Sequence, residues 1–224
     1  MSDADSPQDV RFLRREIAAF LNLTTTSGRR LGSVKHGVYA FYDYDGEPIY
    51  VGQTSESLGT RIRRHLTNQR TDAVAMNVLD PFEVADVEAW PIEAPGAAIR
   101  AQLDSAEYVV FQRALRASQF GAVLNEKAVK PSGAVELPQS YRRRIVPDEI
   151  FEHRKHSDVR IARRASTIAS LARVISERKP SHRLRVVLLT QAQRLEHLAE
   201  QRLRELAIDP SNLSDEDNES PEED

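Results

Sequence analysis

The 224-residue sequence contains no cysteine, which excludes disulfide bridges and thiolate-held zinc. No apolar run approaches the roughly 18 residues that a membrane-spanning helix needs. The opening residues show no charged-then-apolar leader. These absences lead to the expectation of a soluble, cytoplasmic protein. The residues present are ordinary for a globular chain, 40% hydrophobic and 29% charged. The length suits one packed domain with an appendage.

Charge is unevenly spread. The net charge is −3, which argues superficially against a nucleic-acid binder. Residues 1–130 hold 15 basic against 17 acidic residues, and residues 131–208 hold 16 against 9. Residues 209–224 hold no basic residue against 8 acidic ones. The distribution therefore says more than the sum, and the stretch 131–208 is strongly basic.

Periodicity and breakers divide the chain. Val10–Leu23 reads as an amphipathic helix, and residues 1–32 as that helix plus a linker. Gly37–Asp43 and Pro48–Gly52 read as strands around an Asp45-Gly46 hairpin turn. Leu58–Leu66 reads as a helix, Phe82–Ile92 as a third strand, and Ile99–Ala117 as a longer helix after the Pro95-Gly96 break. The expected fold class is α/β (α+β): a small three-stranded antiparallel sheet flanked by helices over residues 33–130. Lys130–Pro138 reads as a linker. Asp158–Glu177 and Ser181–Leu206 read as a helical hairpin broken at Lys179-Pro180-Ser181, with Ser181 as an N-cap. The acidic segment 209–224 is expected to be disordered.

Candidate chemistry gathers around the hairpin. A two-residue turn would pair Phe41 with Tyr50 and Tyr39 with Gly52, so that Tyr39, Phe41 and Tyr50 share one face. An aromatic cross-strand cluster alone would explain that. Arg61 and His65 share a helical face bordering the Leu58, Ile62 and Leu66 ridge. They suit phosphate binding and proton transfer, or a solvated basic surface. Glu107 projects from the face that carries Leu103, Val110, Phe111 and Ala114. A carboxylate there needs a partner, either a metal ion or an arginine.

Together these residues resemble the GIY-YIG nuclease superfamily, and most closely its small type II restriction endonucleases. Gly37-Val38-Tyr39 and Tyr50-Val51-Gly52 match its two tripeptide motifs, with valine in place of isoleucine. Arg61-Ile62-Arg63-Arg64-His65 matches the arginine-then-histidine helix, Glu107 the metal-binding glutamate and Asn125 the asparagine that follows. The eighteen positions between Glu107 and Asn125 are more than the family pattern leads one to expect. The resemblance implies an Mg²⁺-dependent endonuclease acting on double-stranded DNA, with Mn²⁺ as a substitute ion. Tyr39, Tyr50, Arg61, His65, Glu107 and Asn125 would be catalytic, with Glu107 on the metal and either Tyr39 or His65 as general base. A site-specific restriction enzyme is the expected role. The alternatives are an anti-phage, homing or repair nuclease, or an inactive nucleic-acid-binding module.

In the basic region, Arg142, Arg143, Arg144, Arg160, Arg163 and Arg164 are the expected DNA contacts. The apolar stripes of the helical hairpin could instead make a homodimer interface. His153 and His156 lack further ligands and are not taken as a metal site. The acidic end is either a solubility tail or a competitor with DNA for the basic region.

Overall fold

The computed structural model describes residues 8–67, 78–93, 96, 98–125, 128–177 and 182–208. The acidic segment, Pro95, the Lys179–Ser181 break with its expected cap, and the first seven residues lie outside the described residues. The architecture is α+β. Strands β1 (His36–Tyr42), β2 (Pro48–Thr54), β3 (Asp86–Ile92) and β4 (Tyr141–Arg144) form an antiparallel sheet in the order β2-β1-β3-β4. The helices are α1 (Gln8–Leu21), α2 (Leu58–Leu66), α3 (Ala98–Ala117), α4 (Asp148–Lys155), α5 (Ser157–Glu177) and α6 (His182–Glu205).

The sheet thus has four strands, not the expected three. Tyr141-Arg142-Arg143-Arg144 reads in the sequence only as a basic cluster, but it pairs with β3 from Ala89↔Tyr141 to Asp86↔Arg144. A charged edge strand shows no apolar alternation, so periodicity does not reveal it, and its charges protect an open sheet edge. α4 is likewise an addition to the expected elements. Its acids Asp148 and Glu149 in the first turn and His153, Arg154 and Lys155 in the last complement the helix dipole.

The two sheet faces bury different residues. Val38, Ala40, Val51, Trp90 and Ile92 pack with Leu103, Ala106, Val110, Phe111 and Ala114 of α3. The other face presents Tyr39, Phe41 and Tyr50 to a cluster shared with Ile17 and Phe20 of α1 and Leu58, Ile62 and Leu66 of α2. Leu171 and Ile175 of α5 and Leu184 and Val187 of α6 belong to that same cluster. Among the described residues no helix is long and apolar enough to cross a membrane.

The hairpin differs in detail from the two-residue expectation. Asp43 N–H donates to Glu47 O and Gly46 N–H to Asp43 O, so Tyr44, Asp45 and Gly46 form a three-residue loop. Gly46 supplies the positive φ of 77° that such a loop requires. The Asp43 carboxylate accepts from the Asp45 and Glu47 amides at 3.0 Å each. An irregularity between Phe41 and Tyr42 absorbs the one-residue shift, and Tyr39↔Gly52 and Phe41↔Tyr50 pair as expected.

Candidate active site

Gly52 is the pivot of the aromatic cluster. A Cβ at this position would stand 2.6 Å from Tyr39 Oη and 2.9 Å from Tyr50 Cε1. Only glycine lets the Tyr39 ring lie across β2. The Tyr39 and Tyr50 rings stack with centroids 6.2 Å apart.

α2 brings the two polar partners. Ser57 caps it by accepting from Thr60 N–H. The helix sits close because Gly37 has no side chain; a Cβ there would lie 2.8 Å from Leu58 Cδ2. Leu58 and Ile62 are buried, which turns Arg61 and His65 toward the phenols. Tyr39 Oη lies 2.9 Å from His65 Nε2, and Arg61 Nε donates to Tyr39 Oη at 3.3 Å. His65 is 2% exposed and Tyr39 fully covered. Burial alone would lower the Arg61 pKa, but the neighbouring Tyr39 and Tyr50 phenols hold it above the ordinary arginine value.

Glu107 reaches the same region from the opposite face of the sheet. Gln53 follows Gly52 on β2 and so points the other way, toward α3. Its Nε2 donates to Glu107 Oε2 at 3.0 Å and to Asp104 Oδ1 at 2.9 Å. Burial pushes the Glu107 carboxyl up to about 7, against the lowering hydrogen bond from Gln53. Asp104 raises it further, while Arg100 and Arg61 act to lower it. Arg61 therefore contacts the Tyr39 phenol, and its charge acts, last among the causes, on the acid. A cleft of about 240 Å³ opens here, lined by Gln53, Thr54, Ser55, Glu56, Arg61, Arg100 and Leu103.

Asn125 completes the β2 edge and does not enter the cleft. Its Oδ1 accepts from Val51 N–H at 3.1 Å and its Nδ2 donates to Val51 O at 2.6 Å. With Leu124 N–H donating to Ile49 O, this segment pairs with β2 from outside. Asn125 thus touches the backbone between Tyr50 and Gly52.

Residues 35–99 match the family model of the GIY-YIG catalytic domain. The chain carries a GIY-YIG domain. The match supports a nuclease of the GIY-YIG class. Glu107 and Asn125 lie beyond the matched residues, so geometry alone brings them to the GIY-YIG motifs. No curated protein and no solved structure matches the chain.

The expected DNA contacts divide into two groups. Arg160 and Arg164 are 2% and 4% exposed. Arg160 pairs with Asp43 at 3.1 Å and Asp45 at 2.6 Å, and Arg164 with Glu83 at 2.5 Å. Their burial corrects the expectation: these two guanidiniums hold the hairpin to α5 and have no surface to offer a phosphate. Arg163 is forked onto Asp80 at 2.9 and 3.0 Å and lies over the Phe82 ring. Arg142, Arg143 and Arg144 are exposed on β4, where they pair with Asp86, Glu16 and Asp148.

Sequence reasoning misses Gln53 and Asp104. Both carry a signal, since Asp104 precedes Glu107 by one helical turn and Gln53 follows the glycine of the second motif.

Proposed function

We propose that this GIY-YIG domain makes the chain a divalent-cation-dependent endonuclease that hydrolyses DNA phosphodiester bonds, acting as a site-specific restriction enzyme. One observation carries the reading: Arg61 is hydrogen-bonded to the Tyr39 phenol and lines an open cleft with Gln53, which donates to Glu107. A cation, a hydroxyl proton relay and an unneutralised acid in one place suit attack on a phosphodiester.

The donor set fits a magnesium ion. Mg²⁺ is held by one or two carboxylates, with water and substrate phosphate completing its shell. Glu107 is a half-buried carboxylate without an ion pair among the described residues, and burial raises its pKa, so a cation would relieve its desolvation. No group of three metal-ligating side chains occurs among the described residues, so substrate and water would supply the remaining positions. The bound ion would polarise the phosphoryl oxygens and stabilise the leaving oxyanion.

The chain's own residues would divide the remaining work. Arg61 would bind the phosphoryl oxygens and stabilise the charge that develops on them. With the Arg61 N–H directed at the phenol oxygen, the phenol proton points to His65 Nε2, which requires the tautomer with that nitrogen bare. Tyr39 would then accept a proton from the attacking water while passing its own to His65. Tyr39 is itself fully covered, so water would reach its hydroxyl only if Arg61, which is bonded to it, moved onto a phosphate. Asn125 would fix the β2 backbone, and exposed Arg142, Arg143 and Arg144 would contact the DNA backbone.

The test is plasmid cleavage with Mg²⁺, followed by sequencing of the fragment ends. Discrete ends that vanish with chelator and in Glu107→Gln are expected. A smear would remove the restriction role, and full activity of Glu107→Gln would refute the site.

A further inference from the structure

Gln53 makes an arrangement that its neighbours do not explain. One amide nitrogen lies 2.9 Å from an Asp104 oxygen and 3.0 Å from a Glu107 oxygen. Those two oxygens are therefore under about 6 Å apart. Two acids drawn to one point repel each other, and Asp104 does raise the proton affinity of Glu107. Arg100 sits on Asp104 at 3.4 Å but is largely exposed, so it neutralises the pair weakly. Meanwhile Gln53 Oε1 is buried and accepts no hydrogen bond among the described residues. An unsatisfied buried acceptor costs about 1–3 kcal/mol. The side chain lines the cleft in which the reaction is proposed.

We infer that Gln53 is a positioning residue that gathers Asp104 and Glu107 into a two-carboxylate cradle, with Asp104 as a second acid for the divalent cation. The inference rests on the cation-dependent reading of this cleft. The amide –NH₂ holds one oxygen of each carboxylate, and Oε1 supplies an acceptor for the hydrogens of an ion-held water. Mg²⁺ retains several waters in such sites, and partners that orient a ligand carboxylate typically matter 10–100-fold for affinity. Asp104 is exposed enough to be changed without disturbing the core, and Gln53→Met keeps the length of the side chain while removing both amide groups.

The experiment is calorimetric titration of the full chain with Mn²⁺ alone, with thermal melting as a control for folding. Asp104→Asn and Gln53→Met should each weaken Mn²⁺ binding about 10-fold or more, with melting temperatures near wild type in the absence of metal. If Glu107→Gln loses Mn²⁺ while both other variants bind it as wild type does, the cradle is refuted and Glu107 stands alone. If the wild-type chain itself binds no Mn²⁺ with or without DNA, the cation-dependent reading falls with it. Melting curves without metal separate a folding defect from either result.

Discussion

Arg61 and His65 on α2 have the same four-residue spacing as Arg160 and Arg164 on α5, and both pairs face inward, yet they meet different partners. Arg160 and Arg164 find Asp43, Asp45 and Glu83 waiting at the hairpin loop and the segment before β3. Arg194 on α6 similarly finds Glu47. Around Arg61 stand phenols, an imidazole and, further off, Glu107. In the first region each guanidinium is buried and paired with a carboxylate of the chain itself. In the second no carboxylate forms an ion pair with Arg61 among the described residues. Spacing alone therefore does not distinguish an anchor from a site; the carboxylates brought against each arginine by the fold do.

The largest effect should come from breaking the neutralised region. Arg194 is fully buried and donates to Glu47 Oε1 at 3.1 Å and to Pro48 O at 2.9 Å. Arg194→Met removes the cation beside the buried Glu47 carboxylate just before β2, which then keeps only the neutral donors Ser118 Oγ and Gln119 N–H among the described residues. Removal of one buried ionic partner costs about 3–5 kcal/mol. Urea unfolding should show that loss, with cleavage per folded molecule retained. A loss under about 1 kcal/mol would mean that the ion pair does not hold α6 in place.

Arg61→Ala should do the reverse. No carboxylate is orphaned by it, so unfolding midpoints should stay near wild type. Cleavage should fall about 10²- to 10³-fold, the range for removing one preorganised charge-stabilising donor. Equal cleavage by Arg61→Ala and wild type would reduce Arg61 to a second anchor.

Much of this contrast is legible in the sequence, and part of it is not. The hairpin register, α2 and the long helix bearing Glu107 follow from alternation, the Asp-Gly turn and the four-residue apolar ridge. The union of Tyr39, Tyr50, Arg61 and His65 follows as well, because all four are placed by that short hairpin and the helix after it. Arg160 and Arg164 mislead because the acids that bury them lie some 75 to 120 positions away, a distance that local pattern cannot span. β4 escapes a search for periodicity because an edge strand needs neither alternation nor apolar residues. Gln53 has no pattern of its own; it acquires meaning only when β2 and α3 are seen to face each other.

A subtler effect concerns pH. Burial raises Glu107 to about 7 from an ordinary 4.5. Between those values the folded chain keeps a proton that the unfolded chain has released, so Glu107 lowers stability progressively as pH rises through that window. Glu107→Gln removes the group from titration. Without metal, its melting temperature should match wild type near pH 4 and exceed it at pH 8. Saturating divalent cation should reverse the order at pH 8, since only wild type gains binding energy. Parallel melting curves across that range would show that Glu107 does not titrate with a raised pKa.

The smallest expected change lies on β4, where arginines of the same type are exposed. Arg143 pairs with Glu16 at 3.0 Å, and such a surface pair is worth about 0.2–1 kcal/mol. Arg143→Ala should therefore shift the unfolding midpoint little, against the large shift for Arg194. Its place in the comparison is decided by DNA binding instead. Taking away one arginine–phosphate pairing should make the dependence of log affinity on log salt shallower by about 0.9. Arg143→Ala should show that shallower slope if its guanidinium exchanges Glu16 for a phosphate. An unchanged slope would assign Arg143 to the self-neutralised arginines and move the DNA path off the β4 edge.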